Sequence, residues 1–350
     1  MLIESISGLT VSEDHLYTII EGVTEGEYTL TKTGGTTVKA YVVLVKAGAS
    51  AKFVATVPNY YTSGSTATSR ATLASNWTDA SWGRLGVTSL VNQYQSASDT
   101  SNVYVGINGD FTVNDKPRGS VILEGHQELA PSTVVTDEYF FGCLNDGSLE
   151  IMQRTNSEKA DYIDAVCGGS RIVNNWSVTT TDSSEARARA GIALKDNGDT
   201  LLITTTEGIT VLQLAQIMRA SGCYVGINLD GGGSTTLVTH RQGESKTTRR
   251  TPEVSSSDSN KDANGERTVT TAILLVADDG PVNTAGQYAI IDDAPNNPGY
   301  LTYKSSIPVY NIFTKINGAW VLAIPKVKYQ NQWVNVSKIY TKLNNSWIEI

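Results

Sequence analysis

Short apolar runs, separated by polar and glycine-containing segments, recur along most of the chain and are typical of β-strands. They occupy residues 103–107, 119–124, 138–142, 148–152, 190–195, 200–205 and 268–276. One segment, 211–221, instead has apolar residues at helical spacing along one side, and Ser221-Gly222 ends it. The pattern predicts an α+β fold in which a mixed β-sheet is accompanied by few helices.

The last fifty residues contain an internal repeat. "IFTKINGAW" (312–320) and "IYTKLNNSW" (339–347) match at most positions, and "VKYQNQW" (327–333) is a shorter copy. Each copy predicts a strand, an Asn-rich turn and a Trp-led strand, so 301–350 is expected to be a small all-β module. We expect the tryptophans to fill a small core or an oligomer interface, and sugar stacking on them stays open. Such repeats resemble those at the ends of phage tail and baseplate proteins.

Two further segments lie at the borders of the chain's main body. Residues 279–300 are rich in Pro, Gly, Asn and Asp and are interpreted as a linker before the repeat module. Residues 1–37 contain short strand-like runs around a Thr33-Gly34-Gly35-Thr36 hairpin turn. This pattern predicts a small N-terminal β appendage or attachment segment.

Two of the apolar strands end in similar polar clusters. The run at 103–107 continues into Asn108-Gly109-Asp110, and a run at 224–227 continues into Asn228-Leu229-Asp230-Gly231-Gly232-Gly233-Ser234-Thr235. Glycine lets the backbone approach a ligand closely, and successive free N–H groups in such a turn bind anions. We expect both strand ends to face one cleft for an anionic polar substrate. The alternative is that each cluster is only a tight turn.

Ordered motifs give a family resemblance over roughly residues 38–278. They are "VGINGDF" (105–111), "KPRGSVILEG" (116–125), "FFGCLNDGSLEI" (140–151), "RARAGIAL" (187–194), "GITVLQLAQIMRASGCYVGINLDGGGSTTLV" (208–238) and "NGERTVTTAILLV" (264–276). In this order they resemble the blocks of the phosphodiester glycosidases, the family of the mannose-6-phosphate uncovering enzyme. The "NLDGGGS" block is the most specific of them.

The resemblance implies a substrate in which C1 of a sugar is linked through a phosphodiester, and hydrolysis of that glycosidic bond. Because phosphate is a good leaving group, the site must mainly bind it, stabilise an oxocarbenium-like state and deliver water or a carboxylate nucleophile. Asp230 is the first candidate for a catalytic carboxylate, Asp110 the second and Glu207 the third. Two of them could form the nucleophile and acid/base pair, or Asp110 or Asp230 could hold a divalent cation.

The resemblance also implies which residues bind the phosphate. Arginine suits this role because its planar fork makes two parallel hydrogen bonds. Arg187 and Arg267 lie in family-like blocks and are the candidates, and Arg189 would share a strand face with Arg187. Residues expected to complete the binding set are Asn108, Gly109, Asn228, Gly231, Gly232, Gly233, Ser234 and Thr235.

Composition and charge favour an extracellular or virion protein. The 350 residues carry a net charge of −8, of which 301–350 contribute +5 and the acidic remainder −13, a balance that argues against nucleic-acid binding. No window approaches the roughly 20 apolar residues that span a membrane. The N-terminus lacks the basic and apolar regions of a signal peptide. Three cysteines, without metal-type spacing, are expected to be buried thiols.

These features together predict an enzyme of a phage or prophage tail that cleaves glycosyl-1-phosphodiester bonds in a cell-surface polymer, such as a teichoic acid or a capsular sugar phosphate. Its expected partners are that polymer, further copies of the same chain and other tail subunits. The alternative is a non-catalytic structural or receptor-binding protein of the virion, which would use the same domain to bind surface glycans.

Overall fold

A computed structural model describes residues 1–278, apart from 126, 133–138, 146, 155–157 and 256, together with eight short strands between 289 and 349. The chain divides into two compact units, Met1–Gly280 and Pro281–Ile350. All of the helices that are described belong to the first unit, and the second is described only through its strands.

The first unit is built mainly from β-strands. They are β1 (Leu9–Ile20), β2 (Val23–Lys32), β3 (Thr37–Val45), β4 (Ala51–Thr56), β5 (Val103–Asn108), β6 (Thr112–Val113), β7 (Lys116–Pro117), β8 (Val121–Leu123), β9 (Gln127–Leu129), β10 (Phe140–Leu144), β11 (Leu149–Met152), β12 (Tyr162–Cys167), β13 (Arg171–Asn174), β14 (Ser177–Val178), β15 (Arg187–Lys195), β16 (Thr200–Ile209), β17 (Cys223–Asn228), β18 (Leu237–Thr239), β19 (Thr248–Arg249) and β20 (Ala272–Ala277). The α-helices described with them are α1 (Ala67–Ser75), α2 (Val87–Ser96) and α3 (Val211–Ala220). The predicted α+β class with few helices is thereby confirmed.

The largest sheet has eight strands in the order β1-β2-β3-β16-β15-β17-β13-β14. There are also two five-stranded sheets, β11-β10-β12-β8-β9 and β19-β18-β5-β20-β4. Both pack with one face of the eight-stranded sheet around a common apolar core. Ile192, Phe141 and Leu274 are buried members of this core, one from each sheet. Every strand pairing described within the first unit is antiparallel, where a mixed sheet was expected. Hairpin connections such as β1-β2-β3 and β15-β16 account for much of this pattern.

The helix α3 covers the other face of the eight-stranded sheet. It begins after Thr210, whose hydroxyl accepts a hydrogen bond from the N–H of Gln213 at 3.1 Å, and it ends before Gly222, which has a left-handed φ of 87°. Leu214 and Met218 are fully buried in the core beneath it. The amphipathic pattern predicted this helix, and none of the helices in the described ranges is long and apolar enough to cross a membrane.

The interpretation of residues 1–37 as an appendage differs from the structure. β1 and β2 continue the eight-stranded sheet beyond β3, with β1 as its outer strand. Glu25 of β2 is fully buried and accepts hydrogen bonds from two side chains. They are those of Thr239, the last residue of β18, and of Arg241, which follows that strand. β1 pairs with β2 along its length, with register shifts between Glu13 and His15 and between Thr18 and Ile20. These strands are therefore part of the first unit, through contacts distant in sequence.

The second unit contains β21 (Ala289–Ile291), β22 (Leu301–Tyr303), β23 (Phe313–Ile316), β24 (Ala319–Leu322), β25 (Lys326–Tyr329), β26 (Gln332–Asn335), β27 (Tyr340–Leu343) and β28 (Ser346–Glu349). Each copy of the sequence repeat coincides with one antiparallel hairpin: β23-β24, β25-β26 and β27-β28. Trp320, Trp333 and Trp347 each lie in register with a lysine of the partner strand. Apart from β21, the predicted linker 279–300 lies outside the described residues.

Candidate active site

Two loops meet where β5 and β17 end. Asn108, the last residue of β5, is fully buried and donates from Nδ2 to the carbonyl oxygen of Asp230 at 2.7 Å. The N–H of Asp230 donates to the carbonyl of Gly109 at 3.0 Å, and the N–H of Thr236 donates to Asn108 Oδ1 at 3.0 Å. The two polar clusters singled out in the sequence, far apart along the chain, are therefore joined in one place.

Asp110 is completely buried beside this junction. Its Oδ1 accepts the N–H of Phe111 at 2.7 Å, its Oδ2 accepts the N–H of Gly119 at 2.6 Å, and its own N–H donates to Thr271 Oγ1 at 2.7 Å. Burial raises the pKa of Asp110 well above its ordinary value, while the two N–H donors and the charge of Arg118 oppose that rise. Because the backbone holds both oxygens, this carboxylate fixes the loop and is poorly placed to touch a substrate.

Asp230 is only partly buried, in contrast to Asp110. Burial raises the pKa of Asp230, whereas the Ser234 hydroxyl and the Gly231 N–H donate to the carboxylate and favour its ionised form. The charges of Arg267 and Arg84 act in the same direction as these donors. Asp230 is therefore an accessible carboxylate with two cations nearby, a setting suited to a group that works when ionised.

Arg267 lies against the glycine turn. A Cβ atom on Gly233 would stand 2.8 Å from Arg267 Cζ, so a larger residue there would push the guanidinium away from the turn. The preceding Gly232 has a left-handed φ of 60° and starts the 3₁₀ turn Gly232–Ser234. Arg267 Nε and Nη2 both lie 2.7 Å from Asp258 Oδ2, and the arginine side chain is 39% exposed. Asp258 thus orients the fork, which keeps access to solvent on its other side.

Arg187 and Arg189 have different surroundings, although they are two residues apart. A register shift in the pairing of β15 with β16 falls between them. Arg187 is exposed and pairs with Glu185 at 2.7 Å. Arg189 is partly buried: its Nε donates to the Ile209 carbonyl at 3.0 Å, and its Nη1 lies 3.5 Å from where a Cβ on Gly231 would stand. β15 pairs with β17 at Gly191↔Asn228, so Arg189 lies two residues nearer than Arg187 to the turn that follows Asp230.

Glu207 lies near Arg189, the arginine beside the turn that follows Asp230. It is exposed near the end of β16, where its charge acts on Arg189. Its position gives it no direct share in the buried junction between the two loops. Within the described ranges, no group of three or more His, Cys, Asp or Glu side chains is placed to hold a metal ion. The cation suggested for Asp110 or Asp230 stays a prediction.

Two buried polar atoms at the site have no hydrogen-bond partner among the described residues. They are Asn228 Oδ1 and Thr235 Oγ1. Gly169 makes room for the first, because a Cβ there would stand 2.8 Å from Asn228 Oδ1 and 2.9 Å from its Nδ2. Buried polar atoms are nearly always paired, so both are suited to bind hydroxyl groups of a ligand or a water molecule.

Several residues of this site gave little or no sequence signal. Arg84 lies in a Ser/Thr-rich segment, yet its charge acts on Asp230, and its Nε is 2.9 Å from Asp115 Oδ1. Asp258 and Thr271 act by holding Arg267 and the Asp110 backbone. The local sequence does not reveal the role of Arg84, since its partners are set by the fold.

Comparison with known proteins adds a decisive observation. The sequence profile described as phosphodiester glycosidase matches residues 101–276, half of the chain and the whole of both loops. The chain belongs to the phosphodiester glycosidase family. The family resemblance found in the ordered motifs is thus confirmed, and the protein is a hydrolase of phosphodiester-linked sugars.

A solved structure shares the fold of this glycosidase. The catalytic domain of zebrafish N-acetylglucosamine-1-phosphodiester alpha-N-acetylglucosaminidase, auto-inhibited by its pro-peptide, has a TM-score of 0.50 and 13% identity, covering 77% of this chain and 88% of that chain. A hypothetical protein from Synechocystis has a TM-score of 0.49 and 13% identity, covering 77% and 68%. No curated protein matches the chain. At this identity the likeness to the zebrafish enzyme concerns the fold alone.

The two arginines of β15 provide a matched pair for the glycosidase. Arg189→Gln is expected to raise KM for a glycosyl phosphodiester by about tenfold or more, because a charge-assisted hydrogen bond contributes roughly 1.5–3 kcal/mol. Arg187→Gln removes the same charge two residues away and should leave KM nearly unchanged, since Arg187 faces solvent and Glu185. Steady-state kinetics of both variants measure which arginine binds the phosphodiester, and thermal unfolding checks that both are folded. Equal effects of the two substitutions would contradict the assignment.

The pH profile of the glycosidase should depend on Arg84. If Asp230 works ionised, kcat/KM falls as the pH drops through its pKa, which burial holds above the ordinary value. The Arg84 charge lowers this pKa, so Arg84→Gln should raise it and move the acid limb to higher pH. The measurement is kcat/KM against pH for both proteins. An acid limb that stays in place or moves to lower pH would remove Arg84 from the electrostatics of the site.

Proposed function

We propose that this glycosidase cleaves glycosyl-1-phosphodiester bonds within a cell-surface glycopolymer of the teichoic-acid or capsular type. The observation that carries the proposal is the setting of Asp230, a partly buried carboxylate with Arg84 and Arg267 nearby and a glycine turn directly after it. Turn amides and guanidiniums attract the phosphate, and the carboxylate faces the sugar attached to it.

Asp230 acts at C1 of the sugar, either as the nucleophile or as the base that activates water. When the C1–O bond breaks, its electron pair stays on the phosphate oxygen, so the diester monoanion departs as a phosphomonoester dianion. This leaving group needs positive charge and N–H donors more than it needs a proton. Arg267 and Arg189 supply these on two sides of the turn. Asn228 Oδ1 and Thr235 Oγ1 receive hydroxyl groups of the sugar, and Asp110 keeps the neighbouring loop in position.

The test is hydrolysis in ¹⁸O-labelled water of a polymer of N-acetylglucosamine 1-phosphate units. Cleavage of the glycosidic bond yields one reducing end for each new phosphomonoester and places ¹⁸O in the sugar. Cleavage of a phosphorus–oxygen bond places the label in the phosphate and would contradict the proposal. Binding of the polymer without any turnover would instead favour the alternative, a virion protein that uses this domain only to bind glycans.

We propose further that the enzyme belongs to a phage tail, where the repeat module 301–350 attaches it to other subunits or to further copies of the chain. The support is the threefold repetition of a hairpin with its Trp in register with a Lys. A module of about 50 residues has a small core and is marginal by itself, so packing on a partner would stabilise it.

Removal of residues 281–350 is expected to separate attachment from catalysis. The first unit ends at Gly280, so the shortened protein should keep its activity on a single-unit phosphodiester while losing assembly with tail subunits. Activity assays of the full and shortened proteins measure catalysis, and sedimentation of each with tail subunits measures assembly. If the shortened protein folds but loses activity on the small substrate, residues 281–350 contribute to catalysis and the proposal is contradicted.

A further inference from the structure

An exposed tryptophan occupies a strained turn away from the catalytic loops. Asn175 and Trp176 join β13 to β14, and both have left-handed backbone conformations, with φ of 48° and 56°. Two-residue hairpin turns of this kind favour Asn and Gly, whereas a bulky aromatic residue there is rare and costs stability. Trp176 is nonetheless 49% exposed, so burial of its ring offsets little of that cost. Strain kept at an exposed side chain points to a function of that side chain.

Two neighbours give the Trp176 surface a defined chemistry. Tyr224 of β17 lies beside the indole, with ring centroids 5.9 Å apart, and its carbonyl accepts the N–H of Trp176 at 3.1 Å. Arg219, exposed in the last turn of α3, donates from Nε to the carbonyl of Trp176 at 3.0 Å. No carboxylate in the described part of the chain pairs with Arg219, so its amino groups can serve another anion.

We propose that Trp176, Tyr224 and Arg219 form a second binding site, for a sugar–phosphate unit of the polymer at a distance from the bond that is cut. An exposed aromatic face suits the apolar face of a sugar ring, and a guanidinium suits a phosphate diester. The aromatic face and the guanidinium lie side by side at this hairpin. Together they match a repeating unit that consists of one sugar and one phosphate. This inference rests on the proposed function.

The distance along β17 explains why the two sites are separate. Tyr224 precedes Asn228 by four residues, which corresponds to about 13 Å along a strand. A single sugar with its phosphate in the catalytic site cannot also reach Trp176, whereas a polymer can extend to it. The second site should therefore change the affinity for long substrates and leave the cleavage of short ones unaffected.

The experiment uses the full chain with Trp176→Asn and, separately, Arg219→Gln. Asparagine suits the left-handed turn, so Trp176→Asn should keep or raise the melting temperature. Each substitution is expected to raise KM for poly(N-acetylglucosamine 1-phosphate) about tenfold, which corresponds to a loss of about 1.4 kcal/mol of binding free energy. Neither should change kcat/KM for the methyl phosphodiester of a single N-acetylglucosamine unit. Leu16→Ala and Lys46→Gln, exposed apolar and cationic positions elsewhere, are the matched controls.

The outcomes separate this proposal from the function on which it rests. An unchanged KM for the polymer in both variants overturns the second site, and so does an equal loss on the single unit and the polymer. If the parent protein cleaves neither substrate, the dissociation constant for the polymer is measured instead. Weaker polymer binding by both variants, with the controls unchanged, then supports the second site although the proposed reaction has failed.

Discussion

Replacing Asp230 with asparagine is expected to lower kcat on a glycosyl-1-phosphodiester by about a thousandfold or more, with little change in KM or unfolding. Asparagine keeps the size of the side chain and its hydrogen bond from Ser234, but it has no charge to attack C1 or to accept a proton. The loss therefore falls on the chemical step. Initial rates with saturating substrate, together with a urea unfolding curve, measure the two quantities separately.

Asp110→Asn and Asp196→Asn serve as comparisons for the Asp230 variant. Asp196 is exposed in the turn between β15 and β16, so its replacement should change neither rate nor stability. At Asp110 the new amide group would meet the N–H of Phe111 or of Gly119, and the fold should be destabilised. A normal rate for Asp230→Asn, with turnover lost in a stable Asp110→Asn variant, would move the catalytic role to Asp110.

Loss of Glu25 is expected to have the largest effect on stability. Its carboxylate is fully buried and accepts from Arg241 at 2.6 and 3.0 Å, and Arg250 Nε lies 3.6 Å away. Glu25→Ala would remove the hydrogen bonds from Arg241, while Arg241 keeps Glu27 and Arg250 keeps Glu244, so the change should cost roughly 1.5–3 kcal/mol of unfolding free energy. The measurement is chemical denaturation of the variant and its parent.

Glu21→Ala is the control for Glu25, because Glu21 is exposed just before β2 and its loss should cost almost nothing. A single unfolding transition in the Glu25 variant would indicate that β1 and β2 unfold with the rest of the first unit. Two transitions, with the catalytic site intact after the first, would instead support the interpretation of residues 1–37 as an appendage. A loss of less than about 1 kcal/mol would show that the buried pair contributes little to the fold.

The sequence pattern was most informative where local chemistry decides the structure. The signals for α3 all lie within one short segment: the cap at Thr210, the apolar side of the helix, and Gly222 just after its end. Its bounds could therefore be predicted closely. The polar ends of β5 and β17 were also visible, because strands and turns of this kind have short-range signals. Their meeting in one site was inferred from likeness between the two clusters, not from either one alone.

The remaining features depend on partners that are distant in sequence. A two-residue spacing predicts that Arg187 and Arg189 share a face of β15, but it does not show that only Arg189 is near the turn after Asp230, which depends on the pairing of β15 with β17. Asp110 looked equivalent to Asp230 until burial and the N–H of Gly119 distinguished them. The apolar run at 268–276 becomes a strand only from Ala272, and Thr271 before it supports the Asp110 loop. Such differences arise from packing, which a local pattern does not contain.

The irregular pairing of β1 has a consequence for behaviour at high concentration. As the outer strand of the eight-stranded sheet, β1 could template addition of a strand from another molecule through its unpaired backbone groups. The shift in register at Glu13 and His15, with the charge of Asp14 between them, interrupts this edge near its middle. Such an interruption disfavours the addition of a strand from another molecule along this edge.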